Sequence, residues 1–151
     1  MNAIDLLKED HQNLKKILEA IEKTTDRTAH KRQSLLLKAK AELMVHEAIE
    51  EALIYPILKE HQDSHDLALE AYEEHYFANV ILKAVEKTAV DDETWMAKFS
   101  VFKENIYHHI EEEEGQLLKL LKKIIDKKAL NELGVEIKLA KKRYKKESKS
   151  K

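Results

Sequence analysis

The sequence predicts an all-α fold: an antiparallel up-down-up-down four-helix bundle followed by a short C-terminal helix. Three observations predict it. Apolar residues recur at alternating steps of three and four, the spacing that keeps side chains on one helical stripe. Two Gly and one Pro leave too little punctuation for a set of short strands. The 151 residues, 43% apolar and 37% charged, suffice for one domain and hardly for two.

The first stripe is Ile4, Leu7, His11, Leu14, Leu18 and Ile21. After a polar break at 24–28 the second runs Leu36, Ala39, Leu43, His46, Glu50, Leu53 and Ile57, with Pro56 placed to kink or help end its helix. The stretch 61–64 reads as a turn with Ser64 as an N-cap. The third stripe is Ala68, Ala71, His75, Ala78, Leu82 and Val85. A second break at 90–93 precedes the fourth: Trp95, Phe99, Phe102, Ile106, His109, Glu113, Gln116, Leu120 and Ile124. Four helices joined by short turns make a bundle over residues 1–128. A fifth helix spans about residues 129–144, with Gly134 inside it, and 129–151 form this short helix and a basic tail.

Composition excludes several chemistries. Without Cys there are no disulfides, thiolate metal sites or cysteine nucleophiles, so any metal must use His and carboxylate. Gly-rich phosphate loops, zinc-protease motifs and a Ser-His-Asp order are absent, which removes hydrolase and kinase readings. A charged N-terminus and the lack of a long apolar run predict a cytoplasmic chain with no membrane partner. Net charge is −2, yet residues 138–151 carry Lys138, Lys141, Lys142, Arg143, Lys145, Lys146, Lys149 and Lys151 against Glu147 alone. That tail reads as a solvated helix end, and no nucleic-acid partner is expected of it.

The informative residues are those that interrupt the apolar stripes. Each bundle helix places a His inward (His11, His46, His75, His109), and the second and fourth add an inward Glu four residues on (Glu50, Glu113). Burying them without partners would cost several kcal/mol, a large part of the ~5–15 kcal/mol that holds a domain together. Singly, each His reads as part of a hydrogen-bonded core. Together they form a repeat: His11 to His46 is 35 residues, His75 to His109 is 34, and each His-to-Glu step is four. The flanks agree, Asp10-His11 answering Glu74-His75 and HEAIEEALIY from His46 answering HIEEEEGQLL from His109. Two halves related by an approximate twofold axis would each present one lone His and one His-x-x-x-Glu pair at the middle of a bundle.

Residues four apart on a helix lie one above the other, so imidazole and carboxylate reach the same centre. Glu50 and Glu113 are placed to bridge two ions, and the metal offsets the desolvation of the carboxylates. Imidazole and carboxylate without thiolate suit iron first, then manganese or zinc. Six protein donors leave places open for solvent, O2, peroxide or NO.

His11, HEAIEEALIYP at 46–56, EEHYFANVIL at 73–82 and HHIEEEEGQLLKLL at 108–121 resemble the hemerythrin-like family with its HHE cation-binding domain, over about residues 1–126. LGVEIKLAKKRY at 133–144 resembles the short helix that often follows such bundles. The resemblance implies a hemerythrin-like bundle holding two iron ions, oxo- or hydroxo-bridged, with His11, His46, Glu50, His75, His109 and Glu113 as ligands. The oxygen-carrying hemerythrins resemble a five-His arrangement, whereas here Ala71 and Asn79 stand where a further imidazole would flank His75. The missing imidazole favours reaction with or sensing of O2, peroxide or NO over reversible O2 carriage. That implies a binding protein, or one with weak peroxidase, oxidase or NO-scavenging activity.

Two other functions compete: a metal store, buffer or iron-responsive module without turnover, and a structural bundle with a hydrogen-bonded polar core and a docking tail. With no output domain among these residues, a sensor would act through a separate protein partner. Among the remaining residues, the pair His109 and Glu113 is preferred over His108 and Glu112 because it matches His46 and Glu50. Glu47, next to His46, is within reach of a metal but reads, with Glu51, Glu112 and Glu114, as an outer or solvated charge. His30, His61 and His65 fall near turns. Tyr72, Tyr76 and Tyr107 read as packing at the bundle seam, and Trp95 and Phe99 as core at one end.

Overall fold

The computed structural model describes residues 1–150, with side chains through residue 148; the side chain of Lys149 and all of Lys151 in the basic tail lie outside the described residues. No strand occurs among them. Helix α1 spans Ala3–Glu22, opened by a capping box in which Asn2 Oδ1 accepts from the Asp5 amide at 3.0 Å and Asp5 returns the contact to the Asn2 amide at 3.1 Å. A short 3₁₀ turn at Asp26–Thr28 leads to α2, Ala29–Ile49. Glu50–Ile54 form a π turn, and the helix continues as α3, Tyr55–Lys59. Helix α4 covers His65–Glu86 and α5 Trp95–Glu112. A second π turn, Glu113–Leu117, joins α5 to α6, Leu118–Ile124. Helix α7 runs from Lys127 to Ser150. Helix α1 packs on α2 and α5, α4 on α5 and α3, and α3 on α6.

The π turns correct the predicted stripes. In each, an amide bonds the carbonyl five residues back, Tyr55 to Glu50 and Leu118 to Glu113, so one extra residue enters the turn. Each α-helical residue turns the face by ~100°, so everything beyond slips by one position. Hence Ile54, Tyr55 and Leu58 are buried where Leu53 and Ile57 were predicted, and Leu117, Leu118 and Leu121 where Gln116, Leu120 and Ile124 were. Pro56 neither ends nor breaks its helix. It occupies the first turn of α3, just past the irregular turn, where its missing N–H is tolerated.

Two further expectations are corrected. The C-terminal helix is not short: its 24 residues make it longer than any other helix described. Leu130, Leu133, Ile137 and Ala140 join the core formed by α1, α3 and α6, and this burial, rather than the polar composition of the helix, fixes it. Gly134 is needed there, because a Cβ would lie 2.9 Å from the Met1 carbonyl oxygen. Ser64 does not cap α4 with its side chain; its hydroxyl donates to the Leu58 carbonyl at 2.6 Å and ties the turn to the end of α3.

Two apolar cores result. One gathers Leu6, Leu7, Ile49, Ile54, Tyr55, Leu118 and Leu121 with α7. The other gathers Leu14, Leu18, Leu36, Leu43, Leu82, Phe102 and Ile106, and ends in Trp95 stacked on Phe99 at 5.4 Å. Buried Arg32 seals that end, lying over the Trp95 ring at 4.4 Å and donating to Thr24 Oγ1, the Thr24 carbonyl and the Val90 carbonyl. Between the two cores lies a polar stratum.

Candidate metal centre

That stratum contains all six predicted residues. His11 on α1, His46 on α2, His75 on α4, Glu50 and Glu113 are buried, and His109 on α5 is nearly so. Their donor atoms form two groups that share both glutamates: His11, His46, Glu50 and Glu113, and Glu50, His75, His109 and Glu113, with the donor atoms of each group all within 4.8 Å of one another.

Glu50 Oε1 stands 3.2 Å from both His46 Nε2 and His75 Nε2. Glu113 divides its oxygens, Oε1 lying 3.1 Å from His11 Nε2 and Oε2 3.3 Å from His109 Nε2. Each glutamate opens one of the π turns, so the helical irregularity begins at the shared donors in both halves.

All four imidazoles aim Nε2 inward and Nδ1 at a carboxylate. Nδ1 of His11 lies 2.6 Å from Glu114, that of His46 3.0 Å from Asp10, that of His75 3.1 Å from Glu51, and that of His109 3.5 Å from Glu74. The pattern follows the repeat. The acid before each lone His (Asp10, Glu74) faces the paired His of its own half, and the acid after each shared Glu (Glu51, Glu114) faces the lone His of the other half. A carboxylate beside Nδ1 keeps the proton there and leaves Nε2 as the donor atom.

This arrangement is unfavourable unless a cation sits within it. His11 Nε2 and His46 Nε2 face each other at 3.1 Å, and with each Nδ1 proton held by a carboxylate the two lone pairs repel unless a further proton or a metal ion lies between them. Glu50 Oε2, Glu113 Oε1 and both nitrogens of His109 are buried without a hydrogen bond, despite charged neighbours close by. Buried polar atoms left without hydrogen bonds beside charged neighbours fit a metal-binding donor set.

Protons perform the same neutralisation when no metal does. Burial pushes His46 down, but Glu50, Asp10 and Glu113 outweigh it and hold the imidazole well above the usual histidine value. Burial likewise opposes His75, which Glu50 and Glu47 raise, and His109, which Glu113 and Glu74 raise to about 10. Burial would raise Glu113, yet its close polar neighbours Glu50, His109 and His11 hold it well below the carboxylate range.

Tyr55 is a site residue that the periodicity concealed. Its hydroxyl lies 2.9 Å from Glu113 Oε2, 3.0 Å from His75 Nε2 and 3.3 Å from Glu50 Oε1. In a regular α-helix a residue five beyond Glu50 points elsewhere; the π turn stacks the two. Burial and then the charges of Glu50 and Glu113 push its phenol well up, so it stays protonated. The equivalent position in the other half is Leu118, so the twofold relation breaks here.

The remaining residues fall outside the centre. His108 and Glu112 are exposed and pair at 3.0 Å, leaving His109 and Glu113 inside. Glu47 is buried yet belongs to neither donor group; its Oε1 accepts from Asn79 at 3.0 Å, and burial raises its pKa. Tyr72 packs on Tyr55 with ring centroids 5.2 Å apart, Tyr107 donates to Glu19 at 3.1 Å, and Tyr76 is exposed. His30 and His61 are exposed, and His65 bonds the Lys59 carbonyl at 2.6 Å. No helix among the described residues is long and apolar enough to cross a membrane.

Residues 2–121 match the family described as Hemerythrin HHE cation binding domain. Among solved structures, a hemerythrin HHE cation binding domain-containing protein from Mycobacterium kansasii is similar at 26% identity and a TM-score of 0.87, covering 95% of this chain and 87% of that one. Comparison with curated proteins gives no match.

Proposed function

The chain belongs to the hemerythrin HHE cation-binding family, and from that premise we propose that it holds two iron ions and binds or reacts with O2, peroxide or NO as a sensor or scavenger. His11 and His46 would hold one ion, His75 and His109 the other, with Glu50 and Glu113 shared. On this reading the helical segments form an up-down-up-down antiparallel bundle to which α7 is added. The observation that carries the proposal is a buried group of two imidazoles and two carboxylates that occurs twice and shares both glutamates. Iron fits better than zinc because these donors alone leave places open on two six-coordinate ions. Bound iron would supply the redox change and the open places for a small molecule.

The chain's own residues do the rest. Asp10, Glu51, Glu74 and Glu114 orient the imidazoles, and the two glutamates supply the negative charge that two cations require. Tyr55 holds a proton at Glu113 Oε2. The two apolar cores shield the stratum from bulk water at both ends.

A test is anaerobic loading with ferrous iron followed by exposure to air or to NO. The proposal expects about two irons per chain and a new absorption band on exposure. Uptake of less than one iron, with no spectral change, overturns it. A second reading, a metal store or buffer without turnover, is favoured by Tyr55, whose hydroxyl fills space beside His75, Glu50 and Glu113. It predicts the same uptake with no spectral response to either gas.

A further inference from the structure

The basic C-terminal segment, read from sequence as a solvated helix end, reaches the metal centre. Lys141 on α7 pairs with Asp10 Oδ1, while Asp10 Oδ2 accepts from His46 Nδ1 at 3.0 Å. His46 Nε2 then lies 3.2 Å from the shared Glu50 and 3.1 Å from His11 Nε2. We propose that Lys141 is a positioning residue: through Asp10 it locks His46, so that the His11 and His46 position is built more rigidly than its twofold mate at His75 and His109. The proposal rests on the two-metal reading above.

The geometry favours a positioning role over a chance surface pair. Both oxygens of Asp10 are engaged, one by Lys141 and one by His46, which fixes the plane of the carboxylate and with it the ring it holds. The lysine is itself held, since Ile137 and Ala140 are buried on the preceding turn and Gly134 allows α7 to approach Met1 closely. Helix α7 packs chiefly on α1 and α2, the two helices that carry His11 and His46.

The other half shows what the lysine adds. Glu74, the counterpart of Asp10, is 32% exposed against 13% for Asp10. It lies 3.5 Å from His109 Nδ1, and that nitrogen makes no hydrogen bond. Its near neighbours are His108 and Glu112, both exposed. Among the described residues, Lys141 is the only Lys or Arg paired with any of the four acids that face imidazoles. Two positions with the same donors therefore differ in how firmly one donor is held.

Cobalt(II) titration of the full chain, followed by absorption and by the paramagnetically shifted imidazole N–H resonances, tests this. Wild-type chain is expected to take two cobalt ions, with the Nδ1–H resonance of His46 sharp and that of His109 broadened by exchange. Lys141→Met should weaken one of the two affinities about tenfold and broaden the His46 resonance alone. Lys141→Arg should restore both. In an Asp10→Asn background, Lys141→Met should add nothing, because the lysine acts through that carboxylate. Equal weakening of both positions, no change, or tighter binding in Lys141→Met overturns the proposal. Failure of wild-type chain to take up two ions instead overturns the two-metal reading.

Discussion

The Tyr55 hydroxyl donates to Glu113 Oε2 at 2.9 Å, linking the first residue of α3 to the first residue of the π turn in the opposite half of the chain. The bond joins the halves at their shared donors, and no counterpart exists at Leu118. Tyr55→Phe keeps the packing and removes the bond, so the metal-free chain should lose about 1 kcal/mol in urea unfolding. Metal uptake, measured by elemental analysis, should persist, since Tyr55→Phe keeps every His and Glu of the two donor groups.

Glu50 and Glu113 belong to both groups, whereas each His belongs to one. Glu50→Ala or Glu113→Ala should therefore reduce metal content from two ions to below one. His75→Ala should remove about one ion and leave the other in place. Elemental analysis after dialysis against metal-free buffer measures both.

Stability of the metal-free chain should fall on the alkaline side. A histidine raised on folding stabilises fully below its unfolded value of 6.5 and ceases to do so as pH rises through the folded value, about 10 for His109. Glu113 and Asp10, held low, stabilise above their ordinary values and lose that contribution as acid protonates them. Thermal melts of metal-free chain should thus peak on the acid side of neutrality and decline towards pH 10, by on the order of 2 kcal/mol. Metal uptake displaces these protons, so loading at pH 7 should release protons and its affinity should fall with falling pH, both readable by calorimetry in buffers of different ionisation enthalpy.

Arg32 donates to two carbonyls and a hydroxyl at the end of the bundle far from the centre. Arg32→Met leaves the Thr24 and Val90 carbonyls without these partners and should cost about 2–3 kcal/mol. Metal content should be unchanged, which separates this end from the centre.

The two glycines should respond in opposite ways. A Cβ at Gly115 meets nothing within 4 Å, so Gly115→Ala should be neutral or stabilise by ~0.5–1 kcal/mol through helix propensity. At Gly134 it would strike the backbone of Met1 to Ala3, so Gly134→Ala should destabilise by about 1–3 kcal/mol and loosen α7, seen as faster amide exchange there.

The site was legible because its donors replace apolar residues on a regular stripe, and because His11, His46 and Glu50 recur as His75, His109 and Glu113. Fold class followed from the same periodicity, and the third stripe is buried as read, from Ala68 to Val85. What the sequence hid has one physical cause in each case. Beyond Glu50 and Glu113 the π turns change the period, so the stripes continue through Leu53, Ile57, Gln116 and Leu120 and miss Ile54, Tyr55 and Leu117, which are buried instead. Asp10 and Glu74 were visible as echoes of the repeat, but their partners lie on other helices, and helical spacing says nothing about contacts between helices. Lys141 was indistinguishable from the seven other basic residues of the tail until α7 was docked.

The recurrence of a single inserted residue at the same place in both halves has a practical corollary. A peptide consisting of residues 1–60 already bears a lone imidazole, the His-Glu couple, the tyrosine and the irregular turn. Two such peptides brought face to face would carry four inward imidazoles and two shared carboxylates, as the full chain does, and would make Tyr55 appear twice instead of once. A self-pairing miniature built on this segment is thus a direct design target, with α7 as the brace that it would need to replace.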